Sequence, residues 1–577
     1  MLLARLAMLM AFAMLAGCAP PAAPGGRSAQ PEAPAQSRPN RTLTMVIRFE
    51  VNDLAQKIPG GGLPIVTKRI FNASPALVDG QGNARPYLLE ELPQLNSESW
   101  RVFPDGRMET TYRLKPNLTW QDGHPLTADD FVFAYRFYTA PGLAVFIATP
   151  QDRIDEVLAP DARTVQIRWN SLYADAAVLK EGDLDPLPRH LLEPTLAAYE
   201  LDPGTREQLL NAPFWTTEYV GAGPFKLERW EPGARMEASA FAGHALGKPK
   251  IDRLIMRIVA DENTVLSTVL AGDADFTADF TLRFEHSRIL QREWEPSGKG
   301  AVALKGSGPV SNTIQLRPEL AAHPGQLDAR VRKALAWTID RESLNQGLFE
   351  GVGFVTENPV PEGVPYFADV ERAMEKHPYD PRRAEQLMTE AGYTKDREGF
   401  FANAAGDRFR TEFRVNAGPE FERSQAIMVD TWRRAGFEVS SSVLAANMLR
   451  NAEALHTFAG MATRGGGMQE RTWISSEVGT AANRWVGENR AGWSDPRFDA
   501  IFERFSRTLD RADRERAVVE MIQLQSQELP ALVLYQAIQV NSRVAALRGP
   551  GPEIPGWGVA TPRTLAHWNI HEWEWTQ

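Results

Sequence analysis

The chain has 577 residues, enough for two or three domains with cores of their own, and carries 63 Lys and Arg against 73 Asp and Glu, a formal charge of −10. That balance, with no basic block, argues against a nucleic-acid partner and gives anionic lipid no electrostatic hold on the body of the protein. A single cysteine, Cys18, leaves no intrachain disulfide, Cys-x-x-Cys redox centre or cysteine-based zinc site to consider.

In chain order, residues 1–17 read as a signal peptide. Arg5 precedes a stretch of Leu, Ala, Met and Phe, and about fifteen apolar residues are too few for a permanent membrane span, which needs roughly twenty. The segment ends in Leu15-Ala16-Gly17-Cys18, which resembles the lipobox of bacterial lipoproteins, where the cysteine sulfur carries the lipid. Residues 18–41, rich in Pro, Ala, Gly and Ser, bury too little to offset their ordering entropy and are expected to be a disordered tether behind lipidated Cys18.

The folded body is expected to begin near Thr42, with Leu43 to Ile47 as a buried strand. Met108, Thr110, Tyr112 and Leu114 share one face of an alternating strand, with Arg107, Glu109, Thr111 and Arg113 on the other. After the turn Asp122-Gly123, Thr127 and Asp130 form a capping box for a helix whose apolar face holds Phe131, Ala134, Tyr135 and Tyr138. Gly221 and Gly223 flank a turn before Pro224, there to permit unusual backbone angles, and Phe225 and Leu227 follow on one strand face. Val331, Ala334, Leu335, Thr338 and Ile339 make the buried stripe of a helix. In the next, Asp380 is the cap, Pro381 the first residue and Gly392 the stop.

Several of these segments together resemble a known family. The run from Pro104 to Phe131, with its core RLKPNLTWQDGHPLTADDF, then Val220-Gly-Ala-Gly-Pro-Phe-Lys-Leu227, Val331 to Leu344, Tyr379 to Tyr393 and Met428 to Val439 are similar, in order, to the extracellular solute-binding proteins of family 5, the peptide- and nickel-binding group of ABC importers. The resemblance implies an α/β fold: a two-lobed periplasmic-binding-protein clamshell with an additional N-terminal-side domain. It places the first lobe in 42–75, 219–301 and 541–577, the additional domain in 76–218 and the second lobe in 302–540. The lobes are joined by crossings near Ala301–Leu316 and Leu529–Arg543. The implied function is solute capture for an ABC importer: an oligopeptide-like or other small organic solute is held between closing lobes and delivered to the transmembrane permease subunits. The protein would work as a monomer on the periplasmic or extracytoplasmic face of the cell envelope.

Peptide-binding members hold the ligand's α-amine with an acidic residue in a second-lobe loop, and the corresponding region, Met461 to Trp473, lacks an Asp there. Glu470 is a candidate substitute, with Arg464 and Arg471 at least as prominent; Arg464 offers a fork for a carboxylate or phosphate, and Gly465 and Gly466 allow backbone to approach a ligand. Trp473 and Trp485 are candidate pocket walls. By position in relatives, Arg69, Phe71 and Asn72 are the first-lobe candidates. Two other readings compete: a chaperone or sensory lipoprotein on the same fold, and a hydrolytic lipoprotein. The last has little support, for no HExxH, Gly-x-Ser-x-Gly or P-loop occurs. No catalytic residue, cofactor or metal site is expected; His567 and His571, if on a strand, stand about 13 Å apart, too far to chelate one ion.

Overall fold

A computed structural model describes residues 41–55, 65–143, 150–465, 469–551 and 565–576. The expected signal peptide, the expected tether through residue 40 with Cys18, and Gly466 lie outside the described residues. Among those described, no helix is long and apolar enough to cross a membrane.

One ten-stranded sheet runs through the body. At its centre two long strands, Gly300–Ile314 and Ala531–Val544, pair antiparallel from Gly300 opposite Val544 to Thr313 opposite Ala531. Their register shifts between Gly306 and Pro309 and again between Val310 and Ser311. Pro309 has no N–H to give to a ladder, so an irregularity there bends the pair without losing a donor.

On one side of this pair lie Phe276–Thr277, Thr42–Ile47, Arg253–Ile258, Arg235–Ala240 and Phe225–Glu231; on the other lie Met461–Gly465, Arg410–Asn416 and Glu438–Leu444. Thr42–Ile47 pairs parallel with Arg253–Ile258, and Arg410–Asn416 pairs parallel with Glu438–Leu444. Such pairings need crossover connections; the first pair's runs through the separate four-stranded sheet, and a helix supplies the second. The run Pro419–Ala435 joins the second pair, ending at Gly436 in the left-handed region at φ 110°.

A separate four-stranded antiparallel sheet is ordered Trp100–Val102, Met108–Arg113, Thr164–Trp169, Ile154–Asp161. Along Met108–Arg113 and the residue after it, Met108, Thr110, Tyr112 and Leu114 are buried, as the alternation requires. Helix Ala128–Tyr138 follows with the Thr127–Asp130 capping box in place. Asp130 does more than cap. Its carboxylate accepts from the Thr127 amide at 2.8 Å, the Arg189 amide at 3.0 Å and the Trp120 indole at 3.2 Å. One buried side chain thus ties a turn and two helix starts together.

Packing joins this sheet to the first half of the main one. A single apolar cluster includes Leu43, Tyr87, Tyr112, Phe137, Trp169, Trp215, Phe276 and Trp573. The second half has two clusters, one around Phe413, Trp432 and Tyr535, the other around Trp473, Trp493, Phe498 and Val518.

Two expectations are corrected here. Gly221 and Gly223 do not have positive φ; a Cβ on Gly221 would stand 1.9 Å from the Phe71 carbonyl oxygen, and one on Gly223 2.4 Å from the Phe71 carbonyl carbon. The glycines are there so that the turn can lie backbone to backbone on the end of helix Ile65–Phe71, with the Gly223 amide donating to the Phe71 oxygen at 3.0 Å. Gln121 holds the same turn from the other side: its amide nitrogen donates to the carbonyls of Gly223 and Phe225, and its oxygen accepts from the Gly221 amide. The C-terminal tail, in turn, is not a strand through His567 and His571 but a turn and a 3-10 segment, Ile570–Glu572, followed by the short strand Glu574–Trp575.

Candidate functional site

Two adjoining cavities, of about 450 and 960 Å³, open between the four-stranded sheet with its connections and the segments of 469–514. They share Asp152, Arg153, Ile474, Ser476, Phe502 and Ser506 as walls. The smaller is bordered by four cationic side chains, Arg153, Lys180, Arg471 and Arg514, and four carboxylates, Asp152, Asp175, Asp183 and Glu477. Phe502 and Phe505, from helix Pro496–Arg507, supply its apolar surface.

Most of these charges are paired across short distances. Lys180 meets Asp183 at 3.3 Å, and Arg471 pairs with Glu477. Arg153 donates to the Leu172 carbonyl at 3.0 Å. Asp175 and Arg514 pair across the groove: two parallel contacts of 2.7 and 3.2 Å between residues 339 apart in sequence, with side chains only 17% and 11% exposed. Asp175 precedes the turn Ala176–Val178, and Arg514 lies in the first turn of helix Arg511–Glu528. The guanidinium also sits 4.7 Å over the Phe505 ring. Burial acts to lower the Arg514 pKa, but the Asp175 charge and its hydrogen bonds, with buried Glu470 nearby, outweigh it and hold the pKa above its ordinary value.

Of the residues singled out from sequence, Arg471 lines this groove and Glu470 lies beside it, between Gln469 and Arg471. Arg464 is buried, and its fork goes to Glu488, donating to that residue's carbonyl at 2.6 Å and pairing with its carboxylate. Gly465 ends its strand with a Cβ position 3.3 Å from Phe421. Trp473 is a core residue, edge-on to Trp493, and Trp485 stands half-buried near His456 and Arg317.

The three first-lobe candidates knit a junction. Phe71 is fully buried under the Gly221–Gly223 turn. Asn72 donates to the carbonyls of Leu54 and Lys68 and accepts from the Tyr219 hydroxyl. Arg69 donates through Nε to the Trp568 carbonyl at 2.9 Å and lies 4.4 Å over the Tyr87 ring. The other groove residues escaped the sequence reading because they come from segments around 152–183 and 469–477 and from two separate helices, with no shared periodicity to bring them together.

The family model described as bacterial extracellular solute-binding proteins, family 5 Middle, matches residues 92–476. An ABC-transporter-associated protein of Brucella ovis is 28% identical over 305 residues, 52% of each chain, so the chain spans about half the length of the curated relatives it matches. Among solved structures, NikZ from Campylobacter jejuni in complex with Ni(L-His) aligns with a TM-score of 0.71 at 19% identity, over 93% of this chain and 100% of that one. The oligopeptide-binding protein of Thermus thermophilus complexed with a pentapeptide also gives 0.71, at 21% identity, over 93% and 96%. These likenesses show a shared α/β clamshell of the periplasmic-binding type. With residues 92–476 of 577 matched, the chain belongs to the bacterial extracellular solute-binding proteins of family 5.

Proposed function

We propose that this chain is the solute-capturing component of an ABC-type importer. Lipid on Cys18 holds it at the cell envelope on the periplasmic or extracytoplasmic face. There it takes an oligopeptide-like or other small organic solute between its lobes and passes it to the transmembrane permease subunits. The observation that carries this reading is the mixed-charge groove. Four cations and four carboxylates in one cavity suit a zwitterionic solute, whose own amine and carboxylate exchange places with the side-chain pairs at little cost in lost partners. Family membership supports it, as does the chemistry of the solutes named for two structural relatives, a pentapeptide and a nickel–histidine complex, both of which contain amino-acid carboxylates. Arg153 and Arg471 are the groups best suited to a carboxylate in this groove. The reading calls for binding and lobe movement and for no catalytic step.

The test is mass spectrometry of whatever is released when gently purified protein is denatured. A peptide or other small zwitterion in near-stoichiometric amount is the expected result, with affinity for the re-added compound reduced in Arg153→Ala. Absence of any released compound, together with no binding across a peptide and amino-acid panel, would overturn the assignment.

A further inference from the structure

Away from the groove, on the four-stranded-sheet domain, three metal-ligating side chains converge. Asp122, His124 and His190 each offer one ligand atom, and these atoms all lie within 4.8 Å of one another. Asp122 and His124 sit on the tip of a tight turn closed by the Trp120 amide donating to the His124 carbonyl at 2.8 Å, with Gly123 at φ 93°. Oδ1 of Asp122 accepts from the His124 amide at 3.0 Å, which fixes the carboxylate and leaves Oδ2 to the two rings. Nε2 of His190 is 2.6 Å from that oxygen and Nδ1 of His124 is 3.5 Å from it. The rings stack on each other, 4.0 Å between centroids at 16°.

The frame beneath them is rigid. Asp130 binds the Trp120 indole on one side of the turn and the Arg189 amide immediately before His190, so the turn and helix Arg189–Leu201 keep a fixed spacing. The surrounding groove, about 500 Å³, is also lined by Asp129, Arg189 and Glu193. The Arg189 charge is answered by Glu193 at 3.0 Å, so it does not stand unopposed beside the cluster.

We infer that Asp122, His124 and His190 form a binding site for a divalent transition-metal cation, separate from the solute groove. Two imidazoles and one carboxylate are a ligand set suited to Zn²⁺, Ni²⁺ or Cu²⁺, not to Mg²⁺ or Ca²⁺, which prefer all-oxygen shells. Ligand bonds of about 2.0–2.2 Å put neighbouring ligand atoms about 3 Å apart. The present 2.6 and 3.5 Å bracket that spacing, and a small rotation of His124, whose side chain is 61% exposed, reaches it. The remaining coordination positions face solvent and take water. Bound metal bridges the turn to the helix, doing with one ion what the Asp122–His190 hydrogen bond does alone.

The inference does not depend on the proposed transport role. Its test uses the full mature chain, free of any histidine tag and stripped with chelator, titrated calorimetrically with ZnCl₂, NiCl₂ and MgCl₂. One equivalent of Zn²⁺ or Ni²⁺ should bind and Mg²⁺ should not. His124→Ala, at an exposed position, and Asp122→Asn, which keeps an oxygen for the His124 amide, should each weaken Zn²⁺ binding about tenfold or more. Circular dichroism of both should stay as in the parent, and the two variants serve as independent readings should either misfold. No binding by the parent, unchanged affinity in the folded variants, or Mg²⁺ binding as tightly as Zn²⁺ would each overturn the inference.

Discussion

His244 and His571 lie 5.4 Å apart, ring centre to ring centre, in the same buried region as Arg69. A carbonyl can only accept, so Nδ1 of His244 donates to the Gly247 oxygen at 2.9 Å and Nε2 accepts from the Tyr87 hydroxyl at 2.8 Å. Burial lowers both pKa values first, and repulsion from Arg69 adds to it, with Lys115 acting on His244 and His244 on His571; the results are about 3 for His244 and about 2 for His571, against an ordinary 6.5. Both rings are therefore neutral in the folded protein throughout the physiological range. The unfolded chain takes up a proton at each below pH 6.5 and the native state refuses it, so stability is full above 6.5 and falls as the pH drops toward 3. Between pH 7 and 5 each ring contributes a loss of about 2 kcal/mol. His571→Gln should remove its share: urea unfolding at the two pH values should show a loss about 2 kcal/mol smaller than in the parent. Equal losses would mean that His571 protonates freely in the folded state.

Between elements, the contact of the Gly221–Gly223 turn with the end of helix Ile65–Phe71 makes a sharper demand than any single helix or strand. A methyl group at 223 meets backbone at 2.4 and 2.5 Å, and backbone cannot rotate away as a side chain would. Gly223→Ala should therefore cost about 3 kcal/mol, the upper end of overpacking. Gly406→Ala, at φ 85° with nothing within 4 Å, should cost only the left-handed strain of about 1–2 kcal/mol. Urea unfolding of both separates the two causes, and equal costs would refute the steric account. The same contrast explains what could be read from sequence. The strand Met108–Arg113, the capped helix Ala128–Tyr138 and the Asp380-capped helix Pro381–Glu390 depend on neighbours within a few residues, so period and caps disclosed them. The glycines' purpose depended on Phe71, some 150 residues away, and appeared only with the fold. Trp473 is open in sequence to either role, pocket wall or packing residue, because a large aromatic suits both, and burial alone distinguishes them. Arg464 offered a fork, and the partner that took it, Glu488, was 24 residues distant and unmarked by any motif. The charged groove was the least legible feature, because its walls come from segments more than 300 residues apart in sequence that meet only in the fold, as Asp175 and Arg514 do.

At the scale of the whole molecule, the proposed anchor and the proposed closure make separable predictions. Cys18→Ala should free the protein from the membrane fraction while leaving solute affinity unchanged; equal retention would end the lipoprotein assignment. We propose that closure turns on Asp175 and Arg514, which stand on opposite walls of the groove and are both largely dehydrated where they meet. When the walls part, each charge regains water, so the pair contributes little net stability beyond what solvation returns. Removing one partner is different. In Asp175→Asn the closed form must hold the Arg514 charge without its carboxylate, while the open form hydrates it, and the equilibrium moves toward open. Solute affinity then falls by the fraction of molecules left competent to bind, here about tenfold, or about 1.4 kcal/mol. X-ray scattering of the solute-free variant should show a larger radius of gyration than the parent. The double variant Asp175→Asn/Arg514→Gln should recover part of the lost affinity, because it removes the stranded charge together with the pair. A radius and affinity unchanged in Asp175→Asn, or a double variant that simply adds the two single losses, would show that this ion pair has no part in closing the groove.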